Sequence, residues 1–384
     1  MTEVTVVGAG PVGLAAALAA RHHGARVTVL EAGAEHRGRP GSRAIFVHRT
    51  TLDLLERISP GLGGEVAGAG LVWRTRRTLW RGREVYARTY PGPAARARFT
   101  SLPQTVVEAL LRRACARAGA EIHWGDAVRE IRSGPGGVEL VTAAGRHWRT
   151  PCVIAADGAR SQVRAGLGIP LDGTTAGTGF AVVDVAGGPG DDAAERIFHY
   201  GHPGAGGRNV LLVPFRGGWR VDVQCRPADD PGQWAATAER WLPALLPGTS
   251  GAQITWSSAY RFHQRVAAAF SDPHHRVLLA GEAAHLLPPF GARGMNSGIA
   301  DAVAAADAVA GHSRAAVAAY AHTRRAAALA NAHAAGQALA HLSADGPLRR
   351  TAQRAAALLA PGWDRAGRWL DRAPYGPRLR SVRY

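Results

Sequence analysis

The sequence predicts an α/β protein: a doubly wound, largely parallel sheet, an antiparallel sheet inserted into it, and a C-terminal run of helices. Three observations predict it. The first 31 residues read strand, glycine-rich turn, helix, strand. Two more apolar, buried-style strands stand far downstream, Cys152 to Ala156 and Arg276 to Ala280. Between them, Arg220, Asp222 and Gln224 alternate with Val221, Val223 and Cys225, as a half-buried antiparallel sheet requires. The expected division is 1–72, 100–172 and 274–310 for the parallel domain, 73–99 and 173–273 for the antiparallel one, and 311–384 for the helical region.

In chain order, Val4 to Val7 is the first strand, and Gly8-Ala9-Gly10-Pro11-Val12-Gly13 opens an Ala/Leu-rich helix to about His23 that Gly24 ends. Arg26 to Leu30 is the second strand, closing on Glu31, and completes a βαβ unit. Gln104 to Ala118 has helical periodicity and leads to a strand near Ala120 to Trp124. Val128 to Ile131, Gly137 to Thr142 and His147 to Thr150 predict a small meander. Phe180 to Val185, Arg196 to Tyr200, Asn209 to Phe215, Trp219 to Cys225 and Gln253 to Tyr260 predict the inserted sheet. A helix from about Met295 to Ala310 follows the strand ending at Ala280, and the rest reads as Ala- and Arg-rich helix.

The 384 residues, 46% of them hydrophobic, suffice for a full core. No apolar run reaches membrane-span length and no signal peptide fits, so a cytoplasmic protein is expected. Cys115, Cys152 and Cys225 are too few and too scattered for a disulfide framework or a metal site. All 46 basic side chains are arginine, and the net charge is +17. The excess is local: Arg74 to Arg98 holds eight arginines against Glu84, and Arg349 to Tyr384 holds nine against Asp364 and Asp371. No nucleic-acid-binding signature accompanies them, so solvated surface is the first expectation and an anion-handling site the second.

Chemistry enters with Gly8-x-Gly10-x-x-Gly13. Strand before it, helix after it and Glu31 at the end of the next strand make a dinucleotide fingerprint. Gly8 permits the turn, Gly10 lets a pyrophosphate approach the backbone, and Gly13 lets helix and strand pack. Glu31 would accept from ribose hydroxyls and repel a 2′-phosphate, which leaves FAD or NAD. Two later segments, Ala155-Ala156-Asp157-Gly158-Ala159-Arg160-Ser161 and Gly281-Glu282-Ala283-Ala284-His285 running on to Asn296, follow strands in the same manner.

Together these segments resemble the three fingerprints of the FAD-dependent aromatic hydroxylases, the p-hydroxybenzoate-hydroxylase-like flavoprotein monooxygenases, over about residues 1 to 310. Glu282 stands where that family usually has Asp. The resemblance implies a Rossmann-like FAD-binding domain with an inserted antiparallel-sheet substrate domain, in the form without a C-terminal thioredoxin-like domain. It implies that Gly8, Gly10, Gly13 and Glu31 hold the ADP half, and that Arg43 and Gln104 reach the pyrophosphate side. Asp157 and Gly158 would serve FAD and the incoming nicotinamide nucleotide, and Gly281 and Glu282 the ribityl chain. Pro289, Gly291, Arg293, Gly294, Met295 and Asn296 would border the isoalloxazine ring.

No second dinucleotide unit is present, so NAD(P)H is expected as a transient co-substrate, its phosphates meeting the Arg74 to Arg98 run or Arg265. The implied reaction is hydroxylation of a phenolic or polycyclic aromatic compound, free or on a carrier protein, through a flavin C4a-hydroperoxide. No side chain is assigned as catalytic; His48, His199 and Tyr200 are candidates by type, and Phe198, Phe215, Trp219 and Phe290 are candidates for contacting substrate. A lysine-dependent halogenase is disfavoured because the chain has no lysine. The remaining alternatives are a flavin reductase or dehydrogenase without oxygen insertion, and a non-catalytic flavin binder with a basic partner surface. Neither nucleic acid nor membrane is an expected partner, and the protein is expected as a monomer or homodimer.

Overall fold

The parallel layer is built from short, buried apolar strands, whose core takes in side chains both of helices and of a three-stranded meander, Val138 and Leu140 among them. The computed structural model describes residues 2–35, 46–90, 99–187, 194–247, 252–344 and 346–377. Its parallel sheet runs in the order Val277–Leu279, Val153–Ala155, Glu3–Val7, Arg26–Glu31, Glu121–Trp124. Helix Pro11–His22 crosses between the third and fourth of these. It is buried from Gly13 to Ala20, and its alanines let helices Gln104–Arg117 and Arg293–Ala310 pack closely against it. The meander Val128–Gly134, Gly137–Thr142, His147–Thr150 stands beside this layer as a separate three-stranded sheet.

The second layer is one eight-stranded sheet, in the order His285–Leu286, Ile254–Ala267, Leu171–Ala186, Gly218–Gln224, Arg208–Phe215, Glu195–His202, Thr75–Trp80, Arg83–Thr89. All its pairings are antiparallel except that between Glu195–His202 and Thr75–Trp80. Its apolar back face, with Val221 and Val223, packs on helix Ala238–Leu245. The opposite face carries Phe198 and Tyr200 and is covered by the C-terminal helices Arg314–Ser343, Pro347–Leu359 and Asp364–Arg372. No described helix is long and apolar enough to cross a membrane.

The predicted class holds, with additions. The arginine-rich stretch after Trp73 forms the hairpin Thr75–Trp80 and Arg83–Thr89, joined by Arg81 (φ 51°) and Gly82 (φ 87°), both left-handed as a type I′ turn demands. Arg-Gly is a weaker turn signal than Asn-Gly, which conceals the hairpin in the sequence. Strands Leu171–Ala186 and Ile254–Ala267 are longer than their apolar patterns suggest, and they pair along both halves with a register shift between Thr175 and Gly179. Helices Arg49–Ile58 and Leu62–Ala69 also arise where no element is predicted.

Candidate functional site

Three distant segments meet at the start of helix Pro11–His22. Gly8, at φ 102°, lies so close to Ala156 and Asp157 that a Cβ would overlap the Ala156 carbonyl. A Cβ on Gly13 would overlap the Gly8 carbonyl, and one on Gly281 or Gly298 would press on Val12. Gly10, by contrast, faces open space, with nothing within 4 Å of an added Cβ. The helix has no side-chain cap, so its first-turn amides stay available to an anion approaching over Gly10. Glu31 accepts from Ala9 N (2.6 Å) and Gly33 N (2.8 Å), which fixes its carboxylate beside that opening.

Asp157 is spent largely on its own loop. It accepts from Ser161 Oγ (2.6 Å) and Val163 N (3.1 Å), and burial raises its pKa against those bonds. Gln104 donates to Glu108 at 2.9 Å at the start of its helix. Arg43 lies outside the described residues. Glu282 is exposed on a short helical turn and has no hydrogen bond to a described residue, whereas its neighbours are buried.

The loop that carries Glu282 is tied to helix Arg293–Ala310 from inside. Asp301 Oδ2 accepts from Gly281 N (3.1 Å) and His285 Nε2 (2.8 Å), and Oδ1 from Arg324 Nε (2.7 Å). Burial alone would raise this carboxyl; Arg324 and His285 overcome it and hold the pKa below the ordinary range. The helix starts from Ala292 in a left-handed conformation (φ 53°, ψ 42°) with no side-chain cap, after Pro289 and Gly291, leaving the Gly294 and Met295 amides at an open positive end.

Asn296 and Arg293 have structural duties at that end. The Asn296 amide donates to Phe46 O and Ala292 O and accepts from His48 N and Thr51 Oγ1, which uses all its capacity. Arg293 donates to Asn331 Oδ1, Tyr375 O and Pro377 O, so it clasps the C-terminal segment to the loop. His48 bonds Gly291 O through Nε2 (2.9 Å), and burial lowers its pKa. It is a neutral tie between strand and loop.

The covered face of the large sheet completes the site. One row across it reads Val182, Asp222, Leu211, Phe198, Thr78, Tyr86. Phe290 packs over this face, 5.8 Å from Phe180 and 5.2 Å from Phe262 between ring centroids. The other sequence candidates are not free to act there. His199 projects to the opposite face from Phe198 and Tyr200, where its ring lies tilted against that of His202 at 4.4 Å, and burial lowers its pKa to about 4. Tyr200 donates to Leu370 O (2.7 Å) and bonds His341 (2.9 Å), and burial raises its pKa further, so it is a pin and not a base. Trp219 packs on the back-face core, and Phe215 is buried over Gly218.

Several residues escaped the sequence reading. Phe46, Trp73 and Phe99 form an aromatic cluster, with Phe46 stacked on Phe99 at 4.5 Å and Trp73 at 4.3 Å from Phe99; it adjoins His48 and so the Gly291 loop. Asp222 has a buried, unpartnered Oδ1 although the residue is only half-buried; desolvation pushes its pKa up to about 7 against the pull of Arg220. A lone Asp alternating with Val gives no hint of this.

A flavin dinucleotide suits these groups. The cradle leaves Gly10 open, presents two uncapped helix starts, and places one fixed and one exposed carboxylate where ribose or ribityl hydroxyls need acceptors. The family of the FAD binding domain matches residues 1–335. The chain belongs to that family. Within it, the chain is 31% identical to 6-methylpretetramide 4-monooxygenase of Streptomyces rimosus, covering 81% of this chain and 57% of that protein. It is 28% identical to rifampicin monooxygenase of Streptomyces venezuelae, covering 79% and 62%. The chain thus spans about half the length of the curated relatives it matches. Among solved structures, p-nitrophenol 4-monooxygenase PnpA of Pseudomonas putida DLL-E4 superposes with a TM-score of 0.80 at 26% identity, over 99% of this chain and 100% of that one.

Proposed function

We propose that this FAD-binding chain is an NAD(P)H-dependent monooxygenase that hydroxylates a phenolic or polycyclic aromatic compound. The observation that carries the reading is the convergence of three glycine segments beside an aromatic-lined sheet face, under Phe290 and the Phe46–Trp73–Phe99 cluster. Relatives in the family that are named as monooxygenases support it. FAD, when bound, accepts hydride from NAD(P)H and activates O2.

The chain's own residues bind, orient and exclude water. Gly10 and the helix amides behind it receive the pyrophosphate, Glu31 the adenosine ribose, and Glu282 the ribityl hydroxyls. The open end of helix Arg293–Ala310 stabilises negative charge at the flavin ring. Asp222, titrating near neutrality on the substrate face, takes the proton of a phenolic hydroxyl. Residues 1–72, 100–172 and 274–310 would form the FAD domain, 73–99 and 173–273 the substrate domain, and 311–384 its cover.

The test is product mass. Yellow protein supplied with NAD(P)H, an aromatic panel and ¹⁸O2 should release a product heavier by one labelled oxygen atom. Turnover that changes the substrate without taking up label would replace the reading with a reductase or dehydrogenase.

A further inference from the structure

Helix Pro347–Leu359 is apolar on two sides. Its inner side, Ala356 and Ala357 with Ala360 beyond, packs against Phe198 and Tyr200, and Gln353 donates to His341 O at 2.7 Å. Its outer side carries Leu348 (85% exposed), Leu358 (83%) and Leu359 (50%), with Thr351, Ala352 and Ala355 between them and no charge. These positions recur at helical spacing, so they form one stripe along the whole helix. Trp363 follows directly, its N–H bonded to Leu359 O (2.8 Å), and Trp369 is exposed on the neighbouring helix Asp364–Arg372. Five of the six large apolar side chains exposed among the described residues thus lie on this one hairpin. A surface helix is ordinarily polar on its outer side; one that is apolar on both belongs under a partner.

The charges around the stripe are basic. Arg354, on its flank, and Arg365 and Arg372, on the outer side of helix Asp364–Arg372, are exposed and have no carboxylate partner among the described residues. Arg349 and Arg350 are held only by carbonyls, Ala340 O and Ala344 O. The two carboxylates of the hairpin are already taken. Asp364 pairs with Arg368, and Asp371 lies inside between Arg76 and Arg196, which the strand register sets in one row.

Charge and shape together select the occupant. A second copy meeting the stripe about a two-fold axis through its middle would set Arg354 against its own counterpart, in a chain whose net charge is already +17. A lipid surface takes apolar side chains that stand level, whereas here the end leucines rise above Ala352 and Ala355 and leave a saddle. A helix crossing that saddle can seat a large side chain on the alanines, while acidic residues on its flanks meet Arg354, Arg365 and Arg372.

We propose that the outer face of helices Pro347–Leu359 and Asp364–Arg372 docks an acidic amphipathic helix of a partner protein. The stripe supplies the apolar contact, and the unpaired arginines supply orientation and on-rate. The inference is independent of the chemistry assigned to the flavin site. The test is fluorescence anisotropy of the full chain with a labelled helical peptide of about five turns, leucine along one face and glutamate along the other, against the same peptide with lysine for glutamate.

The acidic peptide should bind about tenfold or more tighter than the basic one and should weaken as salt is raised. Leu348→Ser with Leu358→Ser should weaken it about tenfold although the net charge is unchanged. If that pair melts early, Leu358→Ala should still weaken it. Arg365→Glu with Arg372→Glu should also weaken it, whereas Arg129→Glu with Arg240→Glu, two exposed arginines elsewhere, should leave it nearly as it was. Equal affinity for both peptides, or equal weakening by the remote and the hairpin pairs, overturns the proposal. So does a chain that ignores the acidic peptide but binds phosphatidylglycerol vesicles through Leu348 and Leu358, which assigns the face to a membrane. A dimer in sedimentation that Leu358→Ser dissociates assigns it to a second copy and sinks the proposal equally.

Discussion

A methyl group added at Gly10 would meet nothing within 4 Å, whereas one at Gly13 would overlap the Gly8 carbonyl. The two glycines should therefore separate binding from folding. Gly10→Val is expected to leave the melting temperature of the apoprotein nearly unchanged and to abolish retained FAD, read by absorbance. Gly13→Ala is expected to destabilise by about 1–3 kcal/mol in urea titration, because helix and strand must move apart. Asp222 offers a pH signature. Its folded pKa of about 7 lies above that of an exposed Asp, so its contribution to stability is full below about pH 4 and is lost as pH rises through 7. Asp222→Asn cannot ionise, and its melting temperature should gain on wild type between pH 5 and pH 8. A constant difference across that range would show that the carboxyl does not titrate there.

Helix Arg293–Ala310 is the element on which the candidate site depends, and Asp301 fastens it to the Gly281 loop and to Arg324. Asp301→Asn leaves Arg324 and His285 facing a neutral amide, and a loss of about 3–5 kcal/mol is expected in chemical denaturation. The sign of the pH effect is opposite to that of Asp222. Asp301 is depressed, so its contribution is present above the ordinary carboxyl range and is lost only as acid passes below it. Elements of this kind were legible where their signal is local. The strand, turn and helix around Gly8 and Gly13, the strand before Gly281 and the helix after Gly294 each announce themselves within a dozen residues. The arginine row was not legible, because Arg76 and Arg196 meet only through the register of strands far apart in the chain. The strand Arg196 to Tyr200 was legible, but not that the Tyr200 hydroxyl would be consumed by Leu370 O and His341. Nor does composition separate Arg76 and Arg88, turned inward, from Arg81 and Arg83 of the same run, which are exposed.

At the scale of the molecule, the C-terminal helices are a cover held at identifiable points: Tyr200 to Leu370 O, Arg76 to Asp371, Asn209 to Leu342 O, and Arg293 to Tyr375 O and Pro377 O. Tyr200→Phe leaves the Leu370 carbonyl without that donor and is expected to cost about 1–3 kcal/mol, with faster amide exchange confined to Asp364–Arg372. Uniform exchange across the chain would deny the cover any independence. The parallel sheet also draws its strands from both ends of the chain, and Val277–Leu279 joins Val153–Ala155 only after five strands of the eight-stranded sheet, Leu171–Ala186 to Ile254–Ala267, have passed. During synthesis, that neighbour must wait as a bare edge while more than a hundred residues leave the ribosome, a period when unpaired strand invites aggregation. The cofactor cradle is thus among the last parts to assemble, and a supply of flavin to the nascent chain can help only once Gly281 and the helix behind it have emerged.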